Sequence, residues 1–100
     1  IRTSKGAIRT VGSGHSFSEL VPTDDTLVSI RRLNGIHNVD NKLKQATFGA
    51  GTTLGETGPL LAEHKQALLN MPDVDHQTLA GSISTATHGT GRELGNLSSF

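Results

Sequence analysis

Ala7-Ile8-Arg9-Thr10-Val11-Gly12-Ser13-Gly14-His15-Ser16-Phe17 is the stretch on which the reading of this chain turns. Ala7 to Val11 alternates small or apolar with polar residues and is rich in β-branched types, which predicts a strand. The chain then leaves that strand through a Gly-Ser-Gly turn. Glycines at alternate positions let the backbone adopt positive φ and approach a ligand closely. Successive N–H groups in such a turn form a concavity suited to an anionic oxygen. The same composition also suits a plain strand-exit turn with a solvent-facing histidine, and both readings stand at this point. The familiar nucleotide signatures fail: G-x-G-x-x-G needs a glycine where Phe17 stands, and neither a P-loop nor a G-x-S-x-G elbow is present.

Upstream, Ile1-Arg2-Thr3-Ser4-Lys5-Gly6 has basic residues followed by glycine, as at a helix C-terminus. A helix end followed by a strand suggests a βαβ unit begun before Ile1. Downstream, Thr26 to Ile30 reads as a second strand entered through the turn Pro22-Thr23-Asp24-Asp25. Asn34-Gly35 is a turn dipeptide, after which Ile36 to Asp40 alternates as a strand. Gln45 to Ala50 is expected to pair with it across Asn41-Lys42. Thr53 and Glu56 stand at capping-box spacing, so a helix begins there, with Leu54, Leu60 and Leu61 as its buried stripe and Lys65 near its end. Gly55, Gly58 and Pro59 are poor helix formers within it. Thr78 caps a final short helix, Leu79 to about Thr85, and the chain stops at Phe100 in mid-element. Strands and helices of this kind make an α+β domain.

The segment Thr78-Leu79-Ala80-Gly81-Ser82-Ile83-Ser84-Thr85-Ala86-Thr87-His88-Gly89-Thr90-Gly91 again gathers small and hydroxylic residues around a histidine. Leu79, Ala80 and Ile83 have the spacing of a helix anchor. That arrangement leaves hydroxyls and N-terminal helix amides free for a phosphate. A Ser/Thr-rich loop without ligand is the plainer account.

Nine Lys/Arg balance nine Asp/Glu, so the electrostatic footprint of a general nucleic-acid or polybasic membrane binder is missing. With no Cys, disulfides, thiolate metal sites and thiol nucleophiles are excluded. His15, His37, His64, His76 and His88 include no H-x-x-x-H pair, so no metal site is expected. Asn96-Leu97-Ser98 matches a glycosylation sequon, with nothing else to suggest secretion. No apolar run approaches the roughly 18 residues of a membrane span. Cytoplasmic placement is the expectation, although a chain opening at Ile1 without Met gives the missing signal peptide no weight. The apolar supply is thin, at 33% hydrophobic residues with three Phe and no Trp or Tyr, and predicts marginal stability for the isolated chain.

Arg9 to Phe17 resembles the first flavin-binding loop of the vanillyl-alcohol-oxidase class of flavoproteins, whose FAD domain is the p-cresol-methylhydroxylase type. Leu69-Asn70-Met71-Pro72-Asp73-Val74-Asp75-His76-Gln77, continuing into Thr78 to Gly91, resembles the second. Gly49-Ala50-Gly51-Thr52-Thr53-Leu54-Gly55-Glu56 matches the joint between them. Within the class, Gly-His-Ser together with Thr-His-Gly-Thr-Gly is similar to the sugar-acid lactone (gulonolactone, arabinonolactone) and alditol oxidases.

The resemblance implies FAD held between two α+β lobes, here about 1–40 and 41–100, with the pyrophosphate on backbone amides. Carried over by motif, Thr10, Val11, Gly12, Ser13, Gly14, His15 and Ser16 line the pyrophosphate and flavin. Asp73, Thr78, Gly81, Thr85, Ala86, Thr87 and His88 form the opposing wall. The family's covalent flavin attachment falls on His15, through attack of a neutral imidazole nitrogen on the flavin 8α-methyl carbon, with Ser16 helping to orient the ring. Asp73 stands where related alditol oxidases carry Ser, which weakens the polyol reading. The substrate-binding and proton-abstracting residues of such enzymes lie in a later cap domain, so no catalytic residue is assigned here. The implied function is part of an FAD-dependent oxidase or dehydrogenase acting on a sugar lactone, with oxygen or another acceptor. The alternatives are an alditol (polyol) oxidase, a non-catalytic FAD- or nucleotide-binding module, and a structural domain whose Gly/Ser loops are mere turns.

Overall fold

The computed structural model describes residues 2–100, and the expected helix end at Ile1 lies partly outside them. Residues 2–3 form a turn. The first strand, β1 (Ile8–Val11), pairs in parallel with β2 (Thr26–Ser29), in register from Ile8↔Thr26 to Val11↔Ser29. Parallel neighbours need a crossover, usually a helix. Here the crossover is the glycine-containing loop and the Pro22–Asp25 turn, without a helix. Its return is pinned at two places: the Asp25 carboxylate accepts the Ala7 N–H at 2.9 Å, and the Arg9 guanidinium donates to the Leu20 carbonyl.

A second two-stranded sheet is the hairpin of β3 (Ile36–Asp40) and β4 (Gln45–Phe48), antiparallel with a bulge between Ile36 and Asn38. The Asp40 carboxylate closes its turn by accepting the Lys42 and Leu43 N–H groups at 2.8 and 2.9 Å. The turn takes residues 41–44 and not Asn41-Lys42 alone, with Lys44 at φ 56° before β4.

Helix α1 (Leu54–Ala62) starts on the expected capping box. The Thr53 hydroxyl accepts the Glu56 N–H at 3.3 Å, and the Glu56 carboxylate accepts the Thr53 N–H at 2.8 Å. Leu54 and Leu61 are buried and Leu60 half-buried, as the stripe predicts, and Thr57 joins them. Thr57 enters the interior by donating its hydroxyl to the Leu54 carbonyl at 2.6 Å. Beyond the helix, Lys65 adopts φ 57°, where the Lys65 and Gln66 N–H groups reach the Ala62 and Leu61 carbonyls, each at 3.0 Å. This is the paired 5→2 and 6→1 closure usually built on glycine.

Helix α2 (Leu79–Ser84) is capped by Thr78, which also forms an antiparallel bridge with Thr53, so the two helices begin side by side. A short 3-10 turn, Leu97–Ser99, closes the described chain, tied back by Leu97 N–H to the Thr87 carbonyl at 2.9 Å. The buried interior holds Leu54, Leu61 and Leu97 beside Thr52, Thr57, Asn70, Thr78 and Ser82. Hydroxyls are tolerated there because each buried polar side chain among the described residues is hydrogen-bonded. An apolar groove of about 540 Å³, bordered by Phe48, Leu61, Leu79 and Leu97, lies on one side of α2. No helix among the described residues is long and apolar enough to cross a membrane.

Candidate functional site

On the other side of α2 lies a cleft of about 550 Å³, bounded by residues 10–18 and by residues of the 77–87 segment. That volume suits a cofactor-sized ligand. The first wall begins where Val11 leaves the sheet. Gly12 is required there by contact, because a Cβ at this position would overlap the Thr78 side chain. Gly14 is required by conformation: its φ is 69°, with open space where a side chain would stand. The backbone N–H groups of residues 12–17 donate to no partner among the described residues. A run of unpaired amides along a cleft offers donors to an anionic oxygen at every step.

His15 lies on this wall with Nδ1 3.0 Å from Nε2 of His76. The two rings meet edge to face with centroids 4.6 Å apart. The Ser13 hydroxyl donates to the His76 carbonyl, a second link between the two segments. Ser16, expected to bond either the imidazole or a phosphate oxygen, has its hydroxyl 3.1 Å from that of Ser18, and His76 is the side chain that meets the His15 ring. Phe17 follows at the rim, fully exposed, 6.2 Å from the His15 ring.

The second wall departs from expectation in its hydrogen bonding. The first amides of α2 are not free: Leu79 N–H donates to the Thr52 carbonyl at 2.8 Å and Ala80 N–H to the Ala50 carbonyl at 3.0 Å. Gly81 N–H donates to the Thr78 hydroxyl at 3.2 Å, and Ser82 N–H to the Thr78 carbonyl at 2.8 Å. The hydroxyls are committed too. Ser84 donates to the Ala80 carbonyl at 2.7 Å, Thr85 to the Gly81 carbonyl at 3.0 Å, and Thr87 to the Gln77 side-chain oxygen at 2.9 Å. A hydroxyl that has spent its hydrogen still offers lone pairs, so this wall accepts hydrogen bonds rather than donating them. Donors for an anion are therefore concentrated on the first wall.

Thr10, Val11, Gly12, Ser13, Gly14, His15 and Ser16 all line the cleft, as do Thr78, Gly81, Thr85 and Thr87. Asp73, Ala86 and His88 do not. Ala86 sits at φ 53° between Thr85 and Thr87, which both line the cleft, and is itself off it. The following Gly89 packs its backbone against Asn70 and Met71, which carries His88 off the cleft to bond its own neighbour's carbonyl at 2.8 Å. Asp73 is exposed in the irregular segment before Gln77. Sequence reasoning left out Phe17 at the rim, the apolar lining residues Leu20, Val21, Ile30 and Ala80, the polar Gln77, and the role of His76. The apolar members carry no local signal, since only the parallel pairing of β1 with β2 brings Ile30 beneath the loop. No cluster of three or more His, Cys, Asp or Glu that could hold a metal occurs among the described residues.

Comparison with known proteins gives a consistent picture. Residues 1–99 match the family model described as FAD binding domain. The chain is 41% identical over 91 residues to an L-gulono-1,4-lactone dehydrogenase of Mycobacterium tuberculosis, covering 91% of this chain and 21% of that protein. It is 35% identical over 96 residues to the L-gulonolactone oxidase of Mus musculus, covering 96% and 22%. It is 38% identical over 96 residues to a D-arabinono-1,4-lactone oxidase of Eremothecium gossypii, covering 92% and 18%. The chain thus spans about a fifth of the length of these relatives.

Proposed function

The chain belongs to the FAD-binding domain family of p-cresol-methylhydroxylase type, and from that premise we propose that it builds the cofactor cleft of an FAD-dependent oxidase or dehydrogenase acting on a sugar lactone. The observation that carries this reading is the run of unpaired amides over residues 12–17 along the cleft. These donors suit a pyrophosphate without any basic side chain, in keeping with the zero net charge. Facing them, Thr85 and Thr87 present lone pairs suited to the hydroxyls of a sugar-like chain. Val11, Val21 and Ile30 supply apolar surface for a ring. Bound FAD supplies the hydride acceptor; these residues hold and orient it and keep water from its faces.

His15 is the attachment point for a covalently held flavin in this reading. Its place on the cleft supports that. The division into two lobes, about 1–40 and 41–100, belongs to the same reading.

Anaerobic mixing of the full-length protein with L-gulono-1,4-lactone is the test. Bleaching of the flavin absorbance by the lactone, and not by a polyol such as xylitol, is expected. Bleaching by the polyol alone would replace the lactone reading with the alditol one, and no bleaching by either would leave a binding module. Flavin left in the acid-precipitated protein, and lost from it in His15→Ala, checks the attachment point.

A further inference from the structure

We propose that Asn34-Gly35 is a deamidation site that the fold holds shut through Thr52. The pair joins β2 to the β3–β4 hairpin, with Asn34 exposed and Gly35 half-buried. Asparagine before glycine closes readily to a succinimide, because glycine puts no side chain in the way of the ring. In that step the bond from the Gly35 nitrogen to Cγ of Asn34 forms and the Cγ–Nδ2 bond breaks. The Gly35 amide proton leaves with the side-chain amide as ammonia. Water then opens the ring at either carbonyl, giving aspartate or isoaspartate, and no electrons change hands. Glycine is needed at position 35 for conformation, at φ 88°, so the reactive pair comes with the turn.

Ring closure needs two things of this turn. The Gly35 nitrogen must yield its proton to the solvent, and the backbone around Asn34 must swing that nitrogen onto Cγ. The structure opposes both. The Gly35 N–H donates at 3.0 Å to the hydroxyl of Thr52, a residue with no exposed surface. That hydroxyl is held in turn by donating to the Gly49 carbonyl at 2.7 Å. On either side of Asn34 the carbonyls are clamped: that of Leu33 accepts the Gly51 N–H at 2.7 Å, and that of Gly35 accepts the Gly49 N–H at 2.9 Å. The two turns pack backbone to backbone, since a Cβ on Gly49 would overlap the Leu33 carbonyl and the Asn34 nitrogen. Damage here would travel. The Thr52 carbonyl accepts the Leu79 N–H at 2.8 Å, so an isoaspartate at 34, with its lengthened main chain, disturbs the residue on which α2 begins.

The full-length protein, held at mildly alkaline pH in buffer and in denaturing urea, tests this by peptide mapping of aspartate and isoaspartate at position 34. Native wild type is expected to modify at least about tenfold more slowly than the unfolded chain. Thr52→Val should speed the native reaction by up to about tenfold, the equivalent of one hydrogen bond, and Thr52→Ser should keep the wild-type rate. Gly49→Ala, which pries the same clamp open from the other side, should also speed it. Leu97→Ala, a buried truncation outside the clamp, controls for general loosening and should change the rate less than either. No modification at 34 in urea, or equal rates in urea and buffer, overturns the proposal. So do clamp variants no faster than wild type, or Leu97→Ala as fast as the clamp variants.

Discussion

Gly12 and Gly14 stand two apart in one loop, yet alanine is expected to fail at each for a different reason. At Gly12 the new methyl would meet the Thr78 side chain, so the loop must lift from the second wall. Gly12→Ala should weaken FAD binding by about 1–3 kcal/mol, the usual scale of an overpacked contact, while the midpoint of denaturant unfolding moves less. At Gly14 no neighbour obstructs the methyl, and the cost of about 1–2 kcal/mol comes from the left-handed backbone alone. Gly14→Asn should therefore be milder than Gly14→Ala, whereas Gly12→Asn should be worse than Gly12→Ala; flavin titration of the four variants checks the pattern. Thr52 makes a third case. Fully buried, it donates to the Gly49 carbonyl at 2.7 Å and accepts the Gly35 N–H at 3.0 Å. Thr52→Val keeps the shape and leaves the Gly35 N–H without its acceptor, while the Gly49 carbonyl still holds the residue-52 N–H, which should cost about 1–3 kcal/mol in chemical denaturation. The glycines were legible in the sequence because their demand is local. The burden on Thr52 was not, because one of its partners, Gly35, belongs to a turn seventeen residues away.

Helix α1 carries its start signal within four residues, and its capping box was legible for that reason. Thr53→Ala should cost about 1 kcal/mol. The Glu56 carboxyl is held below the usual carboxylate value by the Thr53 backbone N–H, helped by the Thr53 hydroxyl and, weakly, by Arg31. Its folded pKa lies below its unfolded one, so the stability it contributes is present above the ordinary value of 4.5 and is lost as pH falls below it. The difference in melting temperature between wild type and Glu56→Gln should accordingly be larger at pH 7 than at pH 3. The end of α1 near Lys65 was legible, but its manner of closure was not, because the left-handed closing position holds Lys65 where a reader looks for glycine. Lys65→Gly should raise stability by up to about 1 kcal/mol, as relief of the left-handed strain exceeds the added entropy of the unfolded chain. The parallel pairing of β1 with β2 was equally hidden, since two short strands joined by a loop do not announce which edge they share.

Across the whole molecule, the 7407 Å² of accessible surface exceeds the roughly 5,400 Å² expected for a folded chain of 10.5 kDa. The radius of gyration is 15.0 Å against about 13 Å for a compact chain of this length. Leu20, Leu33, Leu43, Leu69 and Phe100 are exposed, while the buried apolar set is Leu54, Leu61 and Leu97. The isolated 100-residue chain is expected to melt broadly and to bind a hydrophobic dye, and added FAD should sharpen and raise the transition by mass action. A cooperative melt without FAD would contradict this. The thin apolar supply was plain in the composition. The division of hydrogen bonding between the two cleft walls was not, because it depends on carbonyls of Ala50 and Thr52 reaching the amides of α2. That division has a consequence for deuterium labelling. In heavy water, amides 79–82 should exchange slowly whether or not the cleft is filled, while amides 12–17 should exchange at nearly the speed of an open chain until phosphate oxygens cover them. The isotope pattern of a single loop would then read out, residue by residue, what fraction of the molecules carries a cofactor.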